Sequence, residues 1–328
     1  MNKRFKIFLN YIVGPVLFIW LAISIYHQIE QQKNLPHTWK NIMQNFSATD
    51  WWKFFLVNVL MFVNWGLEAK KWQLLVRGIQ KISFIRSFRA IFSGQAFALN
   101  TINGVGEYLG RVVYLDDGNR LRGVAISVVG SFSQIIVTFT MGLFGLLYMR
   151  FFLLDHNQPF QGLSAFWLDA LTWGLFIGII VFTMMYFSLS WVTKMVEKIP
   201  FISKYTFYIQ KVEDLHGIEL TRILGLSFIR YLVFVAQYLL LLQVFKVDAN
   251  WISLVWLLCI MFFVLAIVPS ITLAELGLRG ELSIQLIGLV STNTIGILFT
   301  ATGIWLINKV IPALAGSLFI LGVRLFKK

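Results

Sequence analysis

The chain has 328 residues, 28 of them basic and 15 acidic, for a net charge of +13. A soluble protein of this size would carry charge at roughly a quarter of its positions. Here charged residues make up 13% and hydrophobic residues 58%, which leaves too little polar surface for a water-soluble enzyme.

The first apolar run covers 5–26, behind Lys3, Arg4 and Lys6. It is long enough to span a hydrocarbon core of roughly 30 Å, and no small-x-small cleavage site follows it. A retained helix is therefore expected, not a signal peptide. Further full spans are predicted at 51–67, 123–149, 164–190, 223–245 and 296–324. Two other regions, 83–115 and 252–291, are apolar but interrupted, the first at Leu99-Asn-Thr-Ile-Asn-Gly-Val-Gly106 and the second at Val268-Pro-Ser-Ile-Thr-Leu-Ala274. Helix breakers and polar residues at bilayer depth are tolerated only where protein covers the freed backbone, so these regions predict re-entrant hairpins. The connection 191–222 places Phe201, Tyr205, Val212 and Leu215 among Lys204, Lys211, Glu213 and Asp214, a pattern for a helix in the headgroup layer. The expected fold class is an all-α polytopic membrane bundle of about six full spans and two re-entrant hairpins, forming one transmembrane domain over 1–328 with no soluble domain.

Orientation follows from Lys and Arg near the span ends. The N-terminus, the stretch 68–89 (Lys70, Lys71, Arg77, Lys81, Arg86, Arg89), the stretch 191–222 and the C-terminus (Arg324, Lys327, Lys328) are rich in them. The connections 150–163 and 246–251 carry only Arg150 and Lys246, although 27–50 holds Lys33 and Lys40 against the trend. Both termini are expected in the cytoplasm of a bacterial inner membrane, and the hairpins then insert from opposite sides. Each hairpin also carries Glu followed by Arg four residues on, Glu107-Tyr-Leu-Gly-Arg111 and Glu275-Leu-Gly-Leu-Arg279, a spacing that puts both charges on one helical face. The pair of motifs suggests a weak inverted repeat of the kind from which transporters build midplane sites.

Charge at bilayer depth costs about 2.5–3.5 kcal/mol per residue on insertion scales. Glu107, Arg111, Arg230, Glu275, Arg279, Glu281 and Lys309 are therefore candidate substrate-binding groups. Arg111, Arg230, Arg279 and Lys309 suit a phosphate, and Glu107 and Glu275 suit an amine or balance the empty site. The unwound stretches 100–106 and 269–274, with Asn100, Pro269 and Ser270, would add backbone N–H groups that favour anions. The competing reading is that each Glu and Arg only neutralises its neighbour. Asn58, Asn64, Gln95, Gln134 and Gln237 are expected as interhelical hydrogen-bond partners and Gly174-x-x-x-Gly178 as a packing face. Trp51, Trp52 and Trp251 are expected to anchor the outer interface, and Trp72 and Trp191 the inner one. Cys259 reads as packing. His27, His37, His156 and His216 lack metal-ligand spacing, and there is no nucleophile-elbow, Walker A or nucleotide-binding glycine motif. No cofactor is expected.

Asn100 through Arg111, with Gly106-Glu107, and Pro269 through Glu281, with Leu-Gly-Leu-Arg-Gly-Glu, resemble the two signature stretches of the lysylphosphatidylglycerol synthase transmembrane-region family. The resemblance covers essentially the whole chain in helix pattern. Departures from the family pattern are Asn103-Gly104-Val105 ahead of Glu107, and Gly280 between Arg279 and Glu281. The family includes the flippase half of bacterial multiple peptide resistance factors, and its two-domain members add an aminoacyltransferase. For this chain the resemblance implies the membrane module without the synthase. The expected function is a flippase-like transporter that moves a polar or charged phospholipid headgroup between leaflets by alternating access, and not an enzyme. Membrane lipids, anionic or zwitterionic, are the expected partners, with a lipid-modifying enzyme as a further one and no nucleic acid. A membrane-embedded enzyme acting on a lipid headgroup and an accessory subunit of a lipid-modifying system are the alternatives.

Overall fold

The structure, a computed structural model, describes residues 47–99, 101, 104–153, 165–189, 191, 193, 215–269 and 272–321. Their regular structure is entirely helical. We number the helices α1 (Ala48–Leu75), α2 (Phe84–Ala98), α3 (Gly106–Val112), α4 (Arg120–Tyr148), α5 (Ala165–Phe187), α6 (Gly217–Val244), α7 (Trp251–Ile267), α8 (Thr272–Ile287), α9 (Thr294–Trp305) and α10 (Ile311–Leu321). Wide π turns at Met149–Leu153 and Leu306–Val310 extend α4 and join α9 to α10. Four helical stretches are long and apolar enough to cross a membrane: Asp117–Leu153, Phe166–Phe187, Gly217–Val244 and Thr294–Ile320. The chain is thus a membrane-embedded, multi-pass helical protein. The predicted span 5–26, most of the predicted headgroup-layer helix and both termini lie outside the described residues.

The second predicted span is part of a longer helix. α1 starts at a capping box, with the Ser47 hydroxyl accepting from Asp50 N and the Asp50 carboxylate accepting from Ser47 N. It then continues through Leu75, about 42 Å at 1.5 Å per residue. It runs antiparallel to α6: Asp50 pairs with Lys246 at 2.7 Å, Gln237 Nε2 donates to Val57 O at 2.9 Å, and Arg230 meets Asn64 at 2.9 Å. α4 and α7 are antiparallel too, with Gly142 against Phe263, Gly145 against Ile260, and Tyr148 bonded to Ser253. These contacts sort the helix ends. The C-terminus of α1 lies with the N-termini of α4 and α6, where Arg77, Lys81, Arg86, Arg89, Arg120 and Arg122 gather. We call this the basic end.

The two interrupted regions are helix–turn–helix pairs with bases at opposite ends of this frame. α2 and α3 start from the basic end, where Gln73 Nε2 donates to Ile82 O at 2.9 Å and Gln80 Oε1 accepts from Asp116 N at 3.0 Å. α7 and α8 start from the other end, beside Tyr148 and beside the loop where Asn293 donates to Phe245 O and Lys246 O. None of these four helices exceeds 17 residues, about 26 Å, short of a 30 Å core when upright. Their tips meet within the bundle: Leu99 of the first and Leu276 of the second bury together with Trp305, Val310 and Ala313 in a small core of their own. The first tip turns through Gly104 at φ 68°, a conformation that a side chain disfavours. The Thr101 hydroxyl then accepts from Gly106 N at 2.8 Å to start α3.

Glycine sets how closely the first hairpin closes. A Cβ on Gly110 would sit 2.5 Å from Ser93 O and 2.6 Å from Gly94 Cα, and one on Gly316 of α10 would strike Phe92 O. Gly174 and Gly178, by contrast, have nothing within 4 Å of an added Cβ, and α5 is mostly exposed. The predicted glycine packing face is therefore unpartnered among the described residues. Gly110→Ala and Gly316→Ala should each lower stability by about 1–3 kcal/mol through overpacking. Gly174→Ala should cost nothing and gain up to about 1 kcal/mol of helix propensity. Thermal midpoints in detergent check both, and equal midpoints for Gly110→Ala and parent would refute the close-packing argument.

Trp51, Trp52 and Trp251 are exposed at the end opposite the basic one, as interfacial anchors should be, and Trp191 is exposed. Trp72 corrects the expectation of an inner anchor. It is fully buried, and its ring lies against Gly123 and beneath the Arg111 guanidinium.

Candidate functional site

A cavity of about 510 Å³ opens where the two tips converge on α1, α4, α6 and the π turn. Of the residues singled out from sequence, Glu107, Arg111, Arg230, Glu275, Arg279 and Lys309 all line it. Glu281 does not. It is exposed and accepts from Gln285 at 2.7 Å. Pro269 is exposed outside the lining as well. Asn100 and Ser270 lie outside the described residues. Chain interruptions bring four of the six together, each Glu-Arg pair riding on the returning limb of its hairpin, α3 or α8, while Arg230 comes from α6 and Lys309 from the π turn.

Both i,i+4 ion pairs form, Arg111 with Glu107 and Arg279 with Glu275. Their surroundings differ. Arg279 also donates to the Tyr238 hydroxyl at 3.0 Å and lies 6.0 Å from that ring. Arg111 donates to Glu68 Oε1 at 2.8 Å. Glu68, whose side chain is 3% exposed, is the hub of the cavity: its other oxygen takes Lys71 Nζ at 2.8 Å and Arg230 Nη1 at 2.9 Å. Arg230 is further held by Asn64 at 2.9 Å, by Gln134 at 3.4 Å and by the Trp65 ring, 5.1 Å from its guanidinium carbon. Lys71 also donates to Gly130 O and to Ser227 Oγ, each at 3.3 Å.

Glu68 and Lys71 are not among the sequence-derived candidates, since the positive-inside pattern places Lys71 with the charges outside the bilayer. The correction follows from α1 continuing eight residues past the predicted boundary at 67. The signal was legible as spacing, since Asn64, Glu68 and Lys71 fall on one helical face with Met61, Trp65, Trp72 and Leu75, all of them buried. Asn64 and Gln134 do join helices, as expected: both accept from Arg230, and Asn64 Nδ2 also donates to Asn308 Oδ1 at 3.4 Å. Gln237 links α6 to α1, whereas Asn58 donates within its own helix, to Phe54 O.

The lining holds five cations, Lys71, Arg111, Arg230, Arg279 and Lys309, against three carboxylates, Glu68, Glu107 and Glu275. The excess is positive, and Lys309 accounts for part of it. Lys309, in the π turn beside Asn308, makes no hydrogen bond or ion pair to any described residue. π turns recur at functional sites, and Lys309 is held only by the field of Glu275, itself already paired with Arg279, so its donors stay available to an arriving anion. Removing the charge by Lys309→Met should therefore leave the thermal midpoint near parental. A fall of several degrees would show instead that Lys309 is structurally paired. Cys259 is buried between helices, and no cluster of metal-ligating side chains exists among the described residues.

Such an arrangement can grip a phosphoryl group with several donors while offering carboxylates to a cationic moiety. A family model described as the lysylphosphatidylglycerol synthase TM region matches residues 9–316. No curated protein matches the chain.

Proposed function

The chain belongs to the lysylphosphatidylglycerol synthase transmembrane-region family, and from that premise we propose that it carries a polar or charged phospholipid headgroup between leaflets, without altering it chemically. The observation that carries this reading is the convergence of both hairpin tips, Leu99 and Leu276 in one small core, beside a cavity with more cations than carboxylates. In this reading the hairpins are re-entrant and oppositely inserted, the bundle crosses the bilayer about six times, and the basic end faces the cytoplasm of a bacterial inner membrane.

The headgroup phosphate takes donors from Lys309 and from Arg111, Arg230 and Arg279 in place of part of their present carboxylate contacts. Arg111 and Arg279 each keep a buried Nε–H without an acceptor, a cost that a phosphate oxygen would relieve. Glu107 and Glu275 accept an amine where the headgroup has one. The acyl chains need not enter: Val105 and Ala266, at the two tips, line the cavity and are themselves exposed, so the tails stay in lipid while the head crosses. Alternating access follows if each hairpin in turn loosens from the shared core, opening the cavity toward its own base.

The test is reconstitution in vesicles with headgroup-labelled phospholipids and a membrane-impermeant quencher. Protein-dependent translocation with chemically unchanged lipid supports the proposal. A modified lipid, or no translocation from a well-folded preparation across anionic and zwitterionic headgroups, overturns it.

A further inference from the structure

A second hollow lies at the basic end, on the outer surface of the bundle. It measures about 250 Å³ and is lined by Lys70, Gln73, Leu74, Arg77, Lys81 and Ile82. The last turn of α1, the tight turn Val76–Gly78 and the return toward α2 form its wall, pinned by the Gln73 to Ile82 hydrogen bond. Three cations meet there, with no carboxylate among the described residues that line it. Lys70 donates to Gln73 at 3.0 Å, and Arg77 and Lys81 make no hydrogen bond or ion pair to any described residue. Like charges gathered in this way repel unless an anion sits among them.

The neighbouring surface tells what kind of anion fits. Val59, Phe62, Val63, Gly66, Lys70 and Gln73 follow one another along α1 mainly at three- and four-residue steps and so share one face. Val59, Phe62 and Val63 are 38%, 56% and 43% exposed, and Phe84 and Ile85 beside them 45% and 65%. The Phe84 ring edge lies 3.9 Å from the place of a Cβ on Gly66. Within about two helical turns one face thus passes from exposed hydrocarbon-compatible side chains to a cationic hollow. A free anion would use only the second half; an amphiphile uses both. We infer that Lys70, Arg77 and Lys81 form a peripheral site for the headgroup phosphate of an anionic phospholipid, with its acyl chains along Phe62, Val63, Phe84 and Ile85. This site is separate from the central cavity, although it grips the same helix that carries Glu68 and Lys71 on its opposite, buried face.

The experiment counts phospholipids retained by the full-length protein in neutral detergent by native mass spectrometry. Phosphatidylglycerol is the probe because phosphate is its only charge, and phosphatidylcholine and inorganic phosphate are the comparisons. Parent protein should retain phosphatidylglycerol in preference to phosphatidylcholine. The triple variant Lys70→Gln, Arg77→Gln, Lys81→Gln should bind it about tenfold or more weakly. A control carrying Arg89→Gln and Arg222→Gln at the same end, and the cavity variant Arg279→Ala, should each keep the peripheral lipid. Should the triple variant fold poorly, Arg77→Gln alone, at an exposed position, should still give a partial loss. Undiminished binding in either variant overturns the site. Inorganic phosphate protecting the thermal midpoint as well as the lipid does would overturn the lipid assignment. Translocation is not read, so the outcome is independent of the proposed transport.

Discussion

Glu68→Gln is expected to lower stability by about 3–5 kcal/mol, the cost of removing one partner from a buried ion pair. The carboxylate is the common acceptor of Lys71, Arg111 and Arg230, at 2.8, 2.8 and 2.9 Å, with the Glu68 side chain 3% exposed. An amide of the same shape keeps an oxygen but loses the charge, so three cations then repel one another in a region with little water. The effect should appear as a large fall in thermal midpoint, or as failure to purify as a single species. A second substitution separates hub from bystander: adding Lys71→Met removes one of the stranded cations and should recover a substantial part of the loss, the non-additivity expected of groups in one network. Glu107→Gln should cost far less, because Glu107 is 23% exposed and Arg111 keeps Glu68. Parental stability for Glu68→Gln would mean that the cluster does not hold the bundle together.

For transport the largest losses are expected from Arg279→Ala and Glu107→Gln. Charge-assisted hydrogen bonds are worth about 1.5–3 kcal/mol each, so losing one made to the moving headgroup should slow translocation by roughly 10- to 150-fold. Arg279→Ala belongs at the upper end of that range, since it also leaves Glu275 without its partner and Tyr238 without its donor. A merely structural role makes a different prediction, in which midpoint and rate fall together. A functional role lowers the rate while the midpoint of Glu107→Gln stays near parental. Reconstituted translocation measured beside thermal midpoints distinguishes the two, and parental rates in both variants would remove these residues from the carrier pathway while leaving the architecture intact.

Much of the candidate site was legible because its signals are local. Glu107 with Arg111 and Glu275 with Arg279 are four residues apart, and a helix brings such a pair together whatever surrounds it. The interruptions at 99–106 and 268–274 likewise mark helix ends on chemistry alone, and α2, α3, α7 and α8 begin and end around them. Glu68 escaped notice for the opposite reason. A carboxylate just past an apolar stretch has the composition of a loop, and beside its neighbour Lys71 it takes Arg230, 162 residues away, and Arg111, 43 residues away, to make it a buried hub.

Composition and hydrophobic period by themselves determined the membrane setting, the helical class and where two of the apolar regions break, because each depends on what a stretch of about 20 residues does in a bilayer. Tertiary packing alone decided the rest: that Trp72 and Lys71 turn inward, that Gly174 and Gly178 meet no helix among the described residues while Gly110 and Gly316 clamp one, and that Lys309 comes to lie in the field of the Glu275–Arg279 pair. Every residue of a membrane helix is offered either lipid or protein, both apolar, so hydrophobicity does not say which face meets a neighbour. The choice falls to small residues that admit close approach and to charges that find a partner, and both are properties of two surfaces in contact.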